Sequence, residues 1–332
     1  MELRNFENEI LWTLSGKDFS NIYHNNDLIY CNLPESKKIL LFDAKTGNQY
    51  QSVQNLTLRG KPNKKNKGIV DNWLDTNRKL SLFDFEKNEL VWTNNLRAGG
   101  NTYFSDNLLI VKPFPKTDLI LSISLLDGSN IWSYQLPLKY NWQDSFGENF
   151  KGKFFRLIGI YNNTLWCVLN SGVILGLCTE NGKVKFELCH PTHYPSEYRI
   201  EPGFERVNTY NRNAVIDGST MFGMQGYCYW EIDLENPLDS FRSYNIENSC
   251  KTHNISLNII AGWNNSEIYF YEGGDSNRFG MLSRIRNEII WSDEIFEVKG
   301  EFPAIRYMNY KNGLIFLQDK NKVLHVIDPL NM

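Results

Sequence analysis

The sequence predicts an all-β fold, a seven-bladed β-propeller of four-stranded antiparallel blades, and three observations carry that expectation. The first is repetition. Asn-Glu-Ile-Leu-Trp at Asn8–Trp12 returns as Asn-Glu-Leu-Val-Trp at Asn88–Trp92 and as Asn-Glu-Ile-Ile-Trp at Asn287–Trp291. Looser copies, a Gly or Asn turn followed by a large aromatic, stand at Gly128/Trp132, Gly182/Phe186 and Asn236/Phe241, with one a residue short at Gly47/Tyr50. Self-similarity at a spacing of roughly 40–55 residues marks a propeller or a solenoid. The second observation is a shared grammar of short apolar runs separated by turns, four per repeat. The third is that the last repeat lacks its aromatic strand, while one such strand stands alone near the amino terminus.

In chain order, the first repeat reads Ser20–Tyr23, Asp27–Cys31, Lys38–Asp43 and Asn48–Val53. The nearly continuous apolar run in Lys38–Asp43 is that of an inner strand covered on both faces. The second reads Leu56–Leu58, Ile69–Trp73, Leu80–Asp84 and Glu89–Trp92, with the Lys/Asn-rich run Lys61–Lys67 as a solvated loop. The third reads Thr102–Phe104, Leu108–Val111, Leu119–Asp127 and Asn130–Tyr134; the fourth reads Arg156–Tyr161, Thr164–Leu169, Val173–Cys178 and Lys183–Leu188. Turns at Asn162-Asn163 and Asn181-Gly182 are hairpin signals, because both residue types tolerate positive φ. The fifth starts at Arg206–Tyr210 or at Ala214–Ile216 and continues with Thr220–Met224, Tyr227–Asp233 and Ser240–Tyr244. The sixth reads Leu257–Trp263, Glu267–Tyr271, Phe279–Ile285 and Glu288–Trp291. The seventh has Ile305–Tyr310, Leu314–Gln318 and Val323–Asp328, and Glu9–Leu14 supplies its missing strand, so that the ring closes with no large sheet edge unpaired. The expected domain is a single one, residues 1–332.

The Asp-to-turn-to-Trp grammar of Asp84…Asn88…Trp92 and Asp127-Gly128…Trp132 resembles the repeats of quinoprotein-like (pyrroloquinoline-quinone-type) β-propellers. The resemblance implies architecture. The quinone-binding members carry an adjacent cysteine pair and usually eight blades. Here no two cysteines are adjacent and seven repeats are present, so no quinone and no other cofactor is expected.

A chain with 42% hydrophobic and 14% aromatic residues can fill a large core, and a net charge of −3 lacks the basic excess of a nucleic-acid binder. Met1–Glu7 shows no signal-peptide pattern, and no run reaches the ~18 apolar residues of a membrane span. Six cysteines, Cys31, Cys167, Cys178, Cys189, Cys228 and Cys250, lie mostly in strand-like runs and read as reduced core residues, so a cytoplasmic location is expected. Heavy use of Asn, Lys and Ile fits an AT-rich bacterial genome.

Functional residues are expected in the connections Leu138–Phe155, His190–Arg206 and Asn245–Asn254 and in the hairpin Gly273–Arg278, because long ordered loops on a rigid scaffold concentrate binding groups. The candidate binding residues are Tyr140, Trp142, His193, Tyr194, Glu197, Tyr198, Arg199, Glu205 and Arg206. Burial against a neighbouring sheet explains Trp142 and Phe146 equally well. Cys189, His190 and His193 do not complete the three or four ligands of a zinc site, so no metal is expected. Phosphate-loop, nucleophile-elbow and zincin motifs are absent from the sequence. Two readings follow, and a third, a structural scaffold in a larger assembly, looks the same from the sequence. One is a monomeric, non-catalytic intracellular protein that holds a protein partner, in its most concrete form a bacterial immunity protein that neutralises a cognate toxin. The other is an enzyme, a hydrolase or lyase acting on a sugar or small molecule at the channel mouth, using His193, Tyr194, Glu197, Arg199 and Glu205.

Overall fold

The structure is a computed structural model that describes residues 2–4, 10–13, 22–25, 27–33, 35–60, 62–74, 79–105, 107–143, 147–188, 214–295, 304–311, 313–319, 324–327 and 329. Among them, six four-stranded antiparallel sheets follow one another along the chain. The first comprises Ile22–Asn25, Leu28–Leu33, Lys38–Asp43 and Gln49–Gln54; the second, Leu56–Leu58, Lys67–Asn72, Leu80–Asp84 and Glu89–Asn94. The third comprises Ala98–Ser105, Leu108–Pro113, Leu119–Ser124 and Asn130–Gln135; the fourth, Phe154–Tyr161, Thr164–Leu169, Ile174–Cys178 and Val184–Leu188. The fifth comprises Val215–Asp217, Thr220–Gln225, Cys228–Asp233 and Arg242–Asn245; the sixth, Ile259–Trp263, Glu267–Tyr271, Arg278–Ser283 and Glu288–Glu294. A three-stranded sheet, Ile305–Lys311, Leu314–Asp319 and Leu324–Ile327, comes last, and Ile10–Thr13 pairs with Glu2–Arg4. The fifth sheet thus starts at the later of its two expected strands; the earlier one lies outside the described residues.

Contacts divide the chain into two compact units, Met1–Leu136 with Thr179–Lys183, and Pro137–Cys178 with Val184–Met332. In each, the core lies between successive sheets. Tyr30, Ile39 and Leu41 of the first sheet pack with Leu58, Val70 and Phe83 of the second, while Ile29, Cys31, Leu40 and Phe42 cover the first sheet's other face. In the second unit, Trp166 and Val168 meet Met221 and Trp230, and Phe222 and Met224 meet Ile268 and Phe270. Strands buried on both faces need continuous apolar runs, and Leu80–Asp84 and Ile174–Cys178 are buried at every position.

The repeat has a stricter chemical form than its sequence reveals. A polar residue ends the third strand at Asp43, Asp84, Ser124 or Ser283, and a left-handed residue follows four positions later: Gly47, Asn88, Gly128 or Asn287, with φ from 54° to 75°. The N–H of that residue bonds the carbonyl oxygen of the polar one at Gly47 (2.9 Å), Gly128 (3.0 Å) and Asn287 (2.9 Å). The polar side chain accepts turn amides. Asp43 Oδ1 takes the N–H groups of Lys45 and Thr46, Asp84 Oδ1 those of Glu86 and Lys87, and Ser124 Oγ that of Leu126. The Thr46 backbone bond is the main reason the Asp43 carboxyl titrates below its usual range. Its contribution to stability is therefore present above the unfolded carboxyl pKa of about 4 and lost as pH falls through the lowered value. Asp127 is not the equivalent of Asp84: it lies three residues past Ser124 and caps Ser129 instead.

Four residues beyond the left-handed position comes the large side chain of the outer strand. A bulge skips the residue before it, since Leu90 pairs with Phe83 and Trp92 with Leu82, Asn130 with Ile123 and Trp132 with Ser122. In the first sheet the same bulge skips Tyr50, which is 65% exposed, and the equivalent position is Gln51. The copy that looked one residue short therefore has normal length. The bulges also disrupt outer edges that would otherwise offer a free ladder of hydrogen bonds.

In the first unit each of these side chains rests on the turn of the following sheet. Trp92 Nε1 donates to the carbonyl oxygen of Leu125 (3.1 Å), and its ring covers Gly128, where a β-carbon would come within 2.8 Å of Trp92 Cδ2. Trp132 Nε1 donates to the carbonyl oxygen of Thr179 (2.7 Å), and a β-carbon on Gly182 would lie 2.5 Å from Trp132 Cε3. Where the outer residue is Gln51, the turn residue is Asn88, and Gln51 Nε2 donates to Asn88 Oδ1 (2.6 Å).

The second unit joins its fifth and sixth sheets differently. Phe241 packs edge-on against Trp230 of its own sheet, 5.8 Å between centroids. Arg284, one residue past Ser283, pairs with Glu231 (2.9 Å) and Asp217 (3.4 Å) and lies 4.6 Å from the Phe222 ring. The expected connection Asn245–Asn254 contains a helix, Glu247–His253, started by the Asn245 side chain accepting the Glu247 N–H (2.9 Å) and ended by left-handed Asn254. Ser249 and His253 bond the sixth sheet's outer strand, and Ile289 beneath them is 3% exposed.

Gly182→Ala should lower stability by roughly 2–4 kcal/mol, the sum of a left-handed backbone penalty and an overpacked contact. Gly218→Ala, with φ of 56° and open space around it, should cost only the backbone part. Urea midpoints of the two variants measured side by side check this.

Candidate functional site

In an antiparallel four-stranded sheet, the hairpin between the second and third strands and the connection to the next sheet emerge at the same end. At that end of the second unit lies the segment after Pro137. Leu138–Tyr140 forms a single 3-10 turn, and Trp142–Gln143 pairs with Asn149–Phe150 in a small hairpin. Tyr140 is fully buried and Trp142 is 6% exposed. The Tyr140 hydroxyl donates to Glu187 Oε2 (2.9 Å), which also receives Lys139 Nζ (2.7 Å), and Trp142 stacks on Phe150 at 4.6 Å. Gly152 is required where it sits, since a β-carbon would come within 2.7 Å of the Tyr140 carbonyl oxygen, and its N–H bonds Asn141 Oδ1 (3.0 Å). Asn170 closes the segment by accepting the Lys153 N–H (2.7 Å) and donating to the Lys151 carbonyl oxygen (2.9 Å).

Tyr140 and Trp142 are thus supports of this loop, and burial is the reading that holds for Trp142. What the loop offers to solvent is Leu138, 78% exposed, together with Phe155 and the lysines 139, 151 and 153. His193, Tyr194, Glu197, Tyr198, Arg199, Glu205 and Arg206 lie outside the described residues, as do Phe146 and Cys189.

The same end of the first unit carries groups that sequence reading did not single out. Trp73 and Phe114 follow the second strands of their sheets, and their N–H groups bond the preceding connections at the carbonyl oxygens of Asn55 (2.8 Å) and Arg97 (2.7 Å). Lys37 Nζ lies 4.9 Å from the centre of the Trp73 ring and the Arg97 guanidinium 4.7 Å from that of Phe114. Leu74 and Phe114 are 77% and 54% exposed. The only sequence signal was an aromatic at the end of each second strand.

The opposite end of the first unit is more tightly built than the expected solvated loop. Asn25 Nδ2 donates to the Asn63 carbonyl oxygen (2.8 Å) and to Asn66 Oδ1 (3.0 Å), and the Tyr30 hydroxyl also donates to Asn66 Oδ1 (3.1 Å). Among the described residues of that run, only Lys64 and Lys65 are exposed.

Two open clefts flank the helix Glu247–His253. The smaller, about 250 Å³, is lined in part by His253, Arg278, Ser292, Asp293 and Glu294. His253 Nδ1 is 3.1 Å from Ser292 Oγ, but that hydroxyl donates to the His253 carbonyl oxygen (3.2 Å). An activated serine passes its proton to the imidazole. Here the pair ties helix to strand. Burial pushes the thiols of Cys31 and Cys250 up to about 12 and that of Cys228 up to about 11, so these cysteines act as apolar core groups. Among the described residues, no cluster of three His, Cys, Asp or Glu side chains is placed to hold a metal ion.

No protein-family model matches the sequence, and no curated protein matches it. Solved structures do. BamB from Moraxella catarrhalis superposes with a TM-score of 0.60 at 10% identity, over 93% of this chain and 84% of that one. The C-terminal WD40 domain of Sif2 gives 0.60 at 9% identity, over 96% and 85%. The chain has a β-propeller fold. The computationally designed Ika8 protein is similar to this propeller to the same degree, with 0.59 at 10% identity over 96% and 86%. At such identities the likeness extends to the propeller's backbone alone.

Replacing Trp142 by Ala should cost about 3 kcal/mol, the usual loss for a large buried aromatic, whereas Leu138→Ser should leave stability within about 0.5 kcal/mol. Thermal melts of the two variants test whether Trp142 is a support and Leu138 a solvent-facing group.

Proposed function

We propose that this propeller is a non-catalytic binding protein that holds a protein partner inside a bacterial cell, most concretely an immunity protein that neutralises a cognate toxin. The observation that carries the reading is the way the strand-end loops are built. Their polar groups are spent on holding the loops still, as in the Tyr140–Glu187–Lys139 and Asn170–Lys153 contacts, while Leu138 and Phe155 face solvent beside lysines. A pre-ordered loop loses little conformational freedom on binding, and an exposed apolar centre with a polar rim is the usual make-up of a protein interface. Affinity purification from the native cell should recover a stoichiometric protein that cross-links to Lys139, Lys151 or Lys153. Recovery of no such protein counts against the proposal.

The scaffold of the proposal is a seven-bladed ring in which the strand bearing Trp12 completes the last sheet. The pairing of outer residue and turn residue supports it: glycine stands at 128 and 182 after tryptophans, asparagine at 88 after Gln51, and Gly47, with φ of 71°, is the turn that the rule assigns to a tryptophan. Deletion of residues 1–15 should lower the melting temperature of the whole propeller by ten degrees or more, on the order expected when several kcal/mol of packing are lost. A truncated protein that melts like the full chain refutes the closure.

A further inference from the structure

We infer that the strand-end face of the first unit, around Lys37, Trp73, Leu74, Arg97, Phe114 and Lys116, docks an acidic segment of a protein partner that also carries an apolar side chain; the inference rests on the binding reading above. Three observations lead to it. First, Lys37, Arg97 and Lys116 make no ion pair among the described residues, although cations elsewhere do, as in Lys67–Asp84, Arg278–Glu294 and Arg284–Glu231. Second, Lys37 and Arg97 are not loose chains. Each is held over an aromatic ring; both aromatic residues are anchored through their backbone N–H to the preceding connection, and the Trp73 ring also by Nε1 donating to Thr57 Oγ1 (2.7 Å). Third, Leu74 and Phe114 stand exposed beside them.

A cation on an aromatic face keeps its charge and loses rotamer freedom, so it receives a carboxylate at a lower entropy cost than a free lysine would. Two such pairs stand at the same strand end of consecutive sheets, with Lys116 two residues past Phe114, and gather positive charge there on a chain whose net charge is −3. Glu35 and Asp118 are the carboxylates in the described parts of the same hairpins; they reduce that charge without cancelling three cations. The apolar components favour a peptide with Leu- or Phe-like side chains between its carboxylates. A single-stranded nucleic acid fits less well. One face of each ring is already covered by a cation, which leaves at most one face per ring for a base to stack on.

The test uses the full-length chain and three fluorescent probes: a twelve-residue peptide alternating Asp/Glu with Leu and Tyr, its Asn/Gln isostere, and a twelve-nucleotide poly-uridine. Anisotropy should show the acidic peptide binding at least tenfold more tightly than the isostere, with affinity falling as salt rises. The Lys37→Glu/Arg97→Glu double variant should lose at least tenfold of that affinity, and Lys64→Glu/Lys65→Glu, at the opposite strand end, should lose none. Circular dichroism melts of both variants guard against misfolding, and Arg97→Gln, which removes one charge without reversing it, should fall between wild type and the double variant. Equal binding of acid and isostere, full affinity in the double variant, or preference for poly-uridine overturns the inference. If the peptide fails while a cellular partner still cross-links at Lys139, Lys151 or Lys153, the binding reading stands and only this inference falls. If neither binds, both fall.

Discussion

An indole laid flat on a glycine of the next sheet's turn is the contact on which the first unit depends. It demands two things at once. The turn needs a residue with positive φ, and it needs one with no β-carbon because the ring occupies that space, so only glycine serves at 128 and 182. The tryptophan needs an acceptor for its N–H when buried, and the carbonyl one residue past the strand end supplies it at Leu125 and Thr179. One contact therefore fixes the spacing of two sheets and satisfies a buried donor.

The exceptions obey the same constraint with other chemistry. Gln51 lacks a ring to fill the space, and the following turn accordingly carries Asn88, whose side chain receives the amide. Between the fifth and sixth sheets the aromatic turns inward on Trp230, and a largely buried arginine with two carboxylates, plus a short helix over the outer strand, does the joining. Removal of Arg284 would leave the partly buried Glu231, which is itself bonded to Tyr229, without its cation. The propeller is thus held by local pairs of different kinds, each readable only when both partners are known.

Much of this was legible in the chain. Asn8–Trp12 and its copies gave the repeat, and the apolar runs gave nearly every inner strand, because a strand buried on both faces is mostly apolar. What was not legible was register. Tyr50 looked like the first repeat's aromatic, and only the bulge shows that Gln51 holds the position; Asp127 looked like Asp84, yet Ser124 is its equivalent. The helix at Glu247–His253 was missed because seven residues carry too little periodicity to separate from a polar loop. Of the candidate site, Tyr140 and Trp142 were named and both are buried, a distinction hidden in the chain because an aromatic flanked by charges reads the same whether it faces solvent or its own sheet. The cations over Trp73 and Phe114 were invisible, because Lys37 and Arg97 come from other turns.

The loops that give the molecule its surface are positioned by these sheet-to-sheet contacts, so the account stands or falls with them. A double-mutant cycle between Trp132 and Gly182 tests it most directly. If the ring and the glycine are one contact, Gly182→Ala should cost about 1–2 kcal/mol less in a Trp132→Leu background than in the wild type, a coupling typical of residues in direct contact. Costs that simply add, with no coupling beyond about 0.5 kcal/mol, would mean that the tryptophan and the turn are held independently, contrary to this account.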